Sequence, residues 1–458
     1  MRRVFGVQQF RPGQEAVVRA VLDGRDTIAI MPTGSGKSLC YQLPGLHLRG
    51  TTVVVSPLIS LMKDQTDKLS DMGIDAAQVN SALPAREASD AVDSIRNRRS
   101  EFVLATPERL SDESFLETLS HNHIDFVVVD EAHCVSQWGH DFRPAFLQIK
   151  DALARLGHPP VLALTATATA DVVDDIVSAL ALRDPEIVNT GIYRPNLQLS
   201  VRRTASDGEK RLQLVTLLRS LDGSGIVYAS SIKEAQAVYD ELRVGGLAVG
   251  LYHGRLGPRA RHDTQESFMS GELRVMVATN AFGMGIDKPD IRFVVHYNVP
   301  GSLEAYYQEL GRAGRDGQPA SGVLFFRLED RRIHRYFIGG RHRGVRTRLA
   351  RREMDPADRD AQIRMYEARR AKDEDKLERM MLYGQSAVCR WRTLLEYFGE
   401  VLHDEFRCGT CDNCVTPLEA QLEPHRTVWT PRDDVDARRT IEMNPHGEPG
   451  RSPRAGDA

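Results

Sequence analysis

The sequence predicts an α/β protein with two parallel-sheet lobes, a mainly helical module that carries a cysteine cluster, and a disordered tail. Short β-branched runs, such as 27–30 and 124–129, alternate with amphipathic helical stretches up to about residue 326, which is typical of parallel sheets. Longer, charged, helix-favouring sequence follows and contains four of the six cysteines. After Thr416, prolines and polar residues leave no periodicity that would predict an element.

Composition narrows the class of protein. A chain of 458 residues is long enough for two or three domains with separate cores. No run of about 18 apolar residues predicts a membrane span, and no apolar signal segment follows Met1, so we expect a cytoplasmic protein. The net charge of −3 argues against a protein that coats nucleic acid. The nine arginines between 331 and 352 fit either contact with phosphates or a solvated helix face.

A phosphate-binding loop is predicted directly after the first strand. The segment 31–38, MPTGSGKS, follows the apolar run 27–30 and precedes a predicted helix. Its glycines allow backbone N–H groups to approach phosphate oxygens, Lys37 supplies a cation, and Ser38 can bind Mg²⁺. The candidate nucleotide-binding residues of this loop are Thr33, Gly34, Ser35, Gly36, Lys37 and Ser38. A plain glycine turn is the alternative for this loop taken alone.

A second motif, DEAHCVSQWGHDFRP at 130–144, follows the predicted strand 124–129. Paired carboxylates at a strand's carboxyl end suit nucleotide hydrolysis, with Asp130 holding the shell of a Mg²⁺ ion and Glu131 accepting a proton from water. Aromatic and guanidinium groups follow closely and could stack on unpaired bases. These side chains are Trp138, His140, Phe142 and Arg143. The alternative is that the aromatics fill a core and the acidic pair caps a helix.

With these motifs, the segment 5–14, FGVQQFRPGQ, resembles the RecQ family of superfamily 2 DNA helicases. The resemblance extends over residues 5–416 and includes the strings SQWGHDFRP and FGMGI. It implies two RecA-like motor lobes, ATP as the nucleotide, and adenine contacts from Arg11 and Gln14. It also implies that a set of residues couples hydrolysis to bound DNA. This set consists of Trp138, His140, Phe142 and Arg143 together with His133 and Gln137.

The second lobe, predicted for 189–326, repeats the alternation of strand and helix but has no second phosphate loop. Residues 191–196, GIYRPN, resemble the family's crossover between lobes, and 306–315, YYQELGRAGR, resembles its last motor motif. The resemblance implies that Arg312 and Arg315 face the triphosphate, with Arg315 as the arginine finger. Two surface arginines on a glycine-rich turn are the alternative for this motif alone.

A four-cysteine metal site is predicted near the end of the helical module. Cys389 precedes Cys408, Cys411 and Cys414, and the CxxC steps let sulfurs reach one tetrahedral ion. On the residues alone, zinc and an iron–sulfur cluster both fit. The resemblance implies structural zinc, and we expect its loss to unfold the module without altering the ATP chemistry.

The predicted domains are 1–188, 189–326, 327–416 and a disordered tail, 417–458, a short form without the family's winged-helix and HRDC domains. The leading hypothesis is an ATP-dependent helicase that moves 3′ to 5′ on single-stranded DNA and opens branched DNA in repair and recombination. The alternatives are an ATP-switched DNA-binding protein or translocase that does not unwind duplexes, and an RNA remodelling protein. Protein partners are unknown, no membrane partner is expected, and a monomer is one option for the oligomeric state.

Overall fold

The computed structural model describes residues 1–136, 142–283, 286, 288–351 and 356–416. The predicted tail and three residues of the predicted DNA-coupling set, Gln137, Trp138 and His140, lie outside these residues. Within the described part, two parallel-sheet lobes are followed by a mainly helical module, as the sequence predicts. Among the described helices, none has both the length and the apolar character that crossing a membrane requires.

The sheet of the first lobe contains seven strands. They are β1 (Thr27–Ile30), β2 (Thr51–Val55), β3 (Ala76–Val79), β4 (Phe102–Ala105), β5 (Ile124–Val129), β6 (Val161–Thr165) and β7 (Glu186–Asn189). Their order is β3-β4-β2-β5-β6-β1-β7, and each pair of neighbours is parallel. β1, β2 and β4 are buried along their whole length, which explains why their sequences are continuous apolar or β-branched runs.

Helices cover both faces of this sheet. They are α1 (Arg2–Phe5), α2 (Gln14–Leu22), α3 (Leu39–Gly45), α4 (Ile59–Asp71), α5 (Ala85–Arg96), α6 (Glu113–Ser120), α7 (Ile149–Arg155) and α8 (Ala170–Leu180). Short 3₁₀ turns at Pro107–Ser111, Ala132–Val135 and Pro144–Gln148 complete the lobe. Apolar clusters on the two faces of the sheet form its core.

The second lobe has six parallel strands. They are β8 (Leu197–Arg203), β9 (Ser224–Tyr228), β10 (Val249–Tyr252), β11 (Val275–Ala278), β12 (Ile291–His296) and β13 (Ala320–Phe326), in the order β10-β11-β9-β12-β13-β8. Its helices are α9 (Asp207–Ser220), α10 (Ile232–Val244), α11 (Pro258–Met269) and α12 (Leu303–Leu310). Serine side chains cap α9, α10 and α12 by accepting a backbone N–H of the first turn, so the sequence marks where these helices begin.

The helical module shares a hydrophobic core with the second lobe. Its helices are α13 (Asp330–Arg351), α14 (Pro356–Gln385), α15 (Arg390–Tyr397) and α16 (Asp412–Val415). One apolar cluster runs without a break from β12 and α12 to Met380, Trp391 and Leu394 of the module. The close fit is visible at Gly384, where a β-carbon would lie 2.2 Å from the ring of Phe326. The module and the second lobe therefore stabilise each other.

Candidate functional site

The phosphate loop lies at the carboxyl end of β1, where parallel sheets bind ligands. Gly34 and Gly36 have φ angles of 85° and 82°, in the left-handed region that favours glycine. The Lys37 ammonium donates a hydrogen bond to the carbonyl oxygen of Met31 at 3.1 Å, and burial lowers its pKa. α3 begins directly after Ser38, so the loop and the helix N-terminus form a site suited to phosphate.

Arg11 and Gln14 contact the phosphate loop in this structure. The Gln14 side-chain amide donates to the carbonyl oxygens of Ser35 and Gly36 at 2.9 and 3.0 Å, and Arg11 donates to that of Gly34. The backbone N–H of Arg11 in turn donates to the side-chain amide oxygen (Oε1) of Gln14 at 2.8 Å. These two residues therefore connect the N-terminal segment to the loop, and their adenine contacts stay a prediction.

The acidic pair follows β5, two strands away from β1. Burial raises the pKa of Asp130 to about 7, the negative charge of Glu131 adds to this, and Lys37 opposes it. Glu131 adopts a left-handed backbone conformation with φ 51°, which costs energy for a residue other than glycine. Its buried Oε2 lies 3.4 Å from His133 Nδ1 and makes no hydrogen bond among the described residues. Glu131 is thus held in a strained backbone conformation, with one carboxylate oxygen that accepts no hydrogen bond from the described residues.

Arg312 and Arg315 reach the same site from the second lobe. Arg315 lies so close to the phosphate loop that a β-carbon on Gly34 would be 3.4 Å from its Cγ. The Arg312 guanidinium is buried and donates to the carbonyl oxygen of Gly283. Both arginines line a cavity of about 290 Å³ together with Lys37, Ser38, Asp130 and Glu131. Charged residues from two lobes therefore converge on one nucleotide-sized cleft.

The cleft has the groups that a divalent cation needs. Ser38 and Asp130 both line the cavity and offer oxygen ligands of the kind that Mg²⁺ prefers. A buried carboxyl group with a raised pKa is stabilised in its charged form by a nearby cation. The residues present therefore fit a magnesium ion.

The described residues of the predicted DNA-coupling set contact three different parts of the protein. His133 is buried, and its Nδ1 lies 3.1 Å from the Thr165 hydroxyl at the end of β6. Arg143 donates to the carbonyl oxygen of Pro57, at the start of the segment between β2 and α4, at 3.1 Å. The Phe142 ring lies 5.2 Å below the guanidinium of Arg369 of α14.

Two arginines in the arginine-rich helix α13 form ion pairs with an acidic residue of α14. Arg331 and Arg335 both form ion pairs with Glu378 of α14. At these two positions the ion pairs favour the alternative of a solvated helix face over contact with phosphates.

The four predicted metal ligands lie together. The Sγ atoms of Cys389, Cys408, Cys411 and Cys414 are all within 4.8 Å of one another, and no disulfide is present. Two of the separations, Cys408 to Cys414 and Cys389 to Cys411, are 3.8 and 4.0 Å. A tetrahedral zinc ion with four sulfurs at ~2.3 Å requires sulfur separations of about 3.8 Å. The cluster therefore fits structural zinc and leaves no open position for catalysis.

Comparison with known proteins identifies the class first. Residues 11–176 match the DEAD/DEAH box helicase family, and residues 209–317 match the helicase conserved C-terminal domain. The fold resembles that of helicase Lhr from Mycobacterium smegmatis bound to single-stranded DNA, with a TM-score of 0.59, 20% identity, and coverage of 82% of this chain and 56% of that one. It also resembles DNA-bound helicase MrfA, with a TM-score of 0.58, 18% identity, and coverage of 71% and 50%. These matches show the two-lobed fold of helicases, with the phosphate loop in the first lobe.

The match of the helical module is more specific than the matches of the two lobes. Residues 329–415 match the RecQ zinc-binding family. The chain is 41% identical to the ATP-dependent DNA helicase RecQ of Bacillus subtilis over 90% of its own length, and 39% identical to RecQ of Pasteurella multocida over 91%. The chain is therefore similar to RecQ helicases over about nine-tenths of its own length. It spans 65% and 62% of the length of these two relatives.

Sequence reasoning missed several residues that organise the site. Arg194, Tyr307 and Glu400 connect the crossover between the lobes to the turn 311–315, to α12 and to the helical module. The crossover was recognisable from its resemblance to the family. Its partners are more than 100 residues away in the chain, so no local pattern indicated the contacts.

Proposed function

We propose that this chain is an ATP-dependent DNA helicase that moves 3′ to 5′ along single-stranded DNA and opens duplex or branched DNA. The single observation that carries the proposal is the convergence of Arg315 with Lys37, Asp130 and Glu131 in one cleft between two lobes. Such a cleft couples the state of a nucleotide to the relative position of the lobes. The DNA substrate, the polarity and a role in repair and recombination are supported by the family.

Each residue of the cleft has a proposed role in hydrolysis. Lys37 and the backbone N–H groups of the loop bind the phosphates, and Glu131 accepts the proton of the attacking water. Arg312 and Arg315 stabilise negative charge on the transferring phosphoryl group. Arg11 and Gln14 are proposed to contact adenine when ATP is bound. Magnesium would be held by Ser38 and Asp130, where it would neutralise phosphate charge.

The DNA-coupling residues are proposed to transmit the presence of DNA to Glu131. His133 supports this role because it lies between Glu131 and the Thr165 hydroxyl. Arg143 supports it because it bonds the segment after β2, which resembles a DNA-backbone contact of the family. Phe142, with Gln137, Trp138 and His140, completes the proposed set.

The remaining assignments are also proposals. The domain limits are placed at 188, 326 and 416, and the partners are single-stranded and branched DNA. A cytoplasmic location is supported by the four-cysteine cluster that fits zinc, because unpaired cysteines that bind a metal are typical of a reducing compartment. A monomer is the simplest state because one chain contains every residue of the proposed site.

Displacement of a labelled strand tests the proposal. The substrate is a duplex with a 3′ single-stranded tail, and the wild type and Lys37→Ala are compared with ATP. We expect displacement by the wild type alone, because without Lys37 the phosphates lose their main cation. A duplex with a 5′ tail is the control for polarity.

Other outcomes would change the proposal. If neither protein displaces the strand while DNA still stimulates hydrolysis by the wild type, the chain is a translocase or an ATP-switched DNA-binding protein. If RNA stimulates hydrolysis better than DNA of the same sequence, the substrate is RNA. If the wild type hydrolyses no ATP with either nucleic acid, the proposal is wrong.

A further inference from the structure

The two lobes are joined by the segment 190–196, here called the linker. It runs from β7, an edge strand of the first sheet, to β8, an edge strand of the second. As the covalent connection between the lobes, its backbone must follow any change in their relative position. It contacts two other parts of the protein: the turn 311–315, here called the arginine turn, and the zinc-binding module.

One buried side chain of the linker bonds the arginine turn at two points. The Arg194 guanidinium, 8% exposed, donates to the carbonyl oxygens of Gly311, at 3.1 Å, and of Gly314. Asn196 donates to the same Gly314 oxygen at 2.9 Å and to that of Gln318 at 2.9 Å. Gly314 has a φ of 59°, and a β-carbon there would lie 2.5 Å from the Asn196 amide nitrogen. The turn is therefore seated closely on the linker.

The zinc-binding module holds the linker from its other side. A carboxylate oxygen of Glu400 accepts the backbone N–H of Ile192 at 2.7 Å. The Trp391 indole donates to the carbonyl oxygen of Leu197, where β8 begins, at 3.1 Å. The Tyr193 ring packs edge-on against Trp391, with 5.1 Å between the ring centroids. These residues lie close in sequence to the metal ligands Cys389 and Cys408, so their positions depend on a folded module.

Tyr307 of α12 closes this set of contacts. Its hydroxyl is buried and donates to the carbonyl oxygen of Ile192 at 2.6 Å, and its ring packs against Phe398 of the module at 5.6 Å between centroids. The arginine turn follows directly after α12. Linker, arginine turn and zinc-binding module therefore meet at one buried, hydrogen-bonded junction.

We infer that Arg194 is a positioning residue for Arg312 and Arg315, and that the zinc-binding module controls their placement through Glu400 and Trp391. The inference rests on the proposed ATP hydrolysis and deepens it. Arg194 bonds the carbonyl groups that lie immediately before Arg312 and Arg315, so its guanidinium sets the backbone from which both side chains extend. The zinc-binding module thus contributes to hydrolysis as well as to stability.

The size of the effect follows from the geometry that transition-state stabilisation requires. A displacement of about 1 Å from the productive position can lower a rate about 100-fold. An arginine that acts mainly in the transition state changes kcat while leaving KM nearly constant. Loss of a residue that only stabilises the fold lowers the melting temperature and the fraction of molecules that are folded. It does not lower kcat per folded molecule.

The test measures steady-state ATP hydrolysis with saturating single-stranded DNA for the wild type, Arg194→Ala and Arg194→Lys. We expect Arg194→Ala to lower kcat by about 10- to 100-fold, with KM for ATP within about twofold of wild type. Arg194→Lys should be intermediate, because an ammonium keeps the charge but lacks the planar fork that bridges two carbonyl oxygens. Both variants should retain one zinc per chain.

Lys210→Met is the matched control. Lys210 is a cation of the second lobe that is 1% exposed, is paired with Asp330, and has none of the linker contacts described above. Its replacement should lower the melting temperature and leave kcat per folded molecule unchanged. If kcat falls equally in Lys210→Met and Arg194→Ala, the role of Arg194 is structural and the inference is overturned.

Glu400→Gln tests the contribution of the module and also serves if Arg194→Ala does not fold. The neutral amide weakens the bond to the Ile192 N–H, and we expect kcat to fall about threefold to tenfold, as for loss of one charge-assisted hydrogen bond, with zinc content unchanged. An unchanged kcat in Glu400→Gln overturns the role of the module, and an unchanged kcat in Arg194→Lys overturns that of Arg194. A wild type without ATP hydrolysis would instead refute the proposed function and the inference with it.

Discussion

The nucleotide cleft and the cysteine cluster are built in opposite ways. The cleft collects charged residues from two lobes, holds Glu131 in a strained backbone conformation, and raises the pKa of Asp130 to about 7. The cluster takes all four thiols from one module, over 26 residues of chain from Cys389 to Cys414. The cleft combines cationic and anionic side chains around an open cavity, whereas the cluster is a closed set of thiols that fits a single ion.

Under the proposed function, this difference separates a site that changes with the positions of the lobes from a site that does not. A site shared by two lobes changes when the lobes move, so it can respond to ATP and DNA. A four-thiolate site within one module is closed and holds its ligands in one arrangement. The structure adds a connection between them, because the linker contacts both the arginine turn and the module.

Removing a zinc ligand should have the largest effect. Cys411→Ser replaces a buried thiolate by a poor ligand, and structural zinc typically contributes an apparent ~10–16 kcal/mol to folding. We expect loss of bound zinc and a much lower melting temperature, because the module shares its core with the second lobe. Metal analysis and calorimetry measure both. Thr410→Ala, at an exposed residue beside Cys408, is the control and should keep its zinc. A Cys411→Ser protein with full zinc content would contradict the assignment.

Removing the proposed finger should change the chemistry and spare the fold. Arg315→Ala is expected to lower the rate of ATP hydrolysis ~10³-fold, because a guanidinium is lost from the transition state. The melting temperature and the zinc content should stay close to wild type. Arg292→Ala, which breaks an ion pair with Asp316 beside the arginine turn, is the matched control for a general effect on this region. A rate for Arg315→Ala within a few-fold of wild type would exclude the finger.

The aromatic-rich segment should separate DNA stimulation from ATP binding. Trp138→Ala is expected to keep nucleotide affinity and to lose most of the DNA stimulation of hydrolysis, because the proposed base-stacking surface is removed. The measurement compares ATP hydrolysis with and without single-stranded DNA, and nucleotide binding by fluorescence titration. Trp429→Ala, in the tail that the sequence predicts, is the control and should keep the stimulation. Undiminished stimulation in Trp138→Ala would refute the coupling role.

The smallest effect concerns the pH dependence of cation binding. Protons and Mg²⁺ compete for Asp130, so apparent Mg²⁺ affinity should rise by up to about tenfold per pH unit until the pH reaches about 7. Without the ion, the free energy of unfolding should fall as the pH rises from 3.8 to about 7, because the folded carboxyl group keeps its proton and the unfolded one does not. Melting temperatures measured with and without Mg²⁺ at several pH values report both quantities. Asp130→Asn should abolish the dependence, and a profile unchanged by that substitution would show that another group titrates.

Much of the fold followed from local patterns. The buried strands β1, β2 and β4 read as continuous apolar or β-branched runs, since both faces of a parallel sheet are covered. The phosphate loop, the acidic pair and the cysteines are each short segments with characteristic spacing. The mutual support of the second lobe and the helical module was not predicted, because a shared core leaves no separate signature in either sequence.

The sequence by itself indicated which chemical groups the chain carries: a phosphate loop, two carboxylates, two arginines and four thiols. The choice of zinc and the roles of the arginines came from the resemblance to a family. The tertiary structure decided how these parts depend on one another. Arg194 and Glu400 are an arginine and a glutamate like many others in the chain, and only folding brings them to the linker between the arginine turn and the zinc-binding module. Contacts between residues more than 100 positions apart depend on the path of the whole backbone, which no local pattern records.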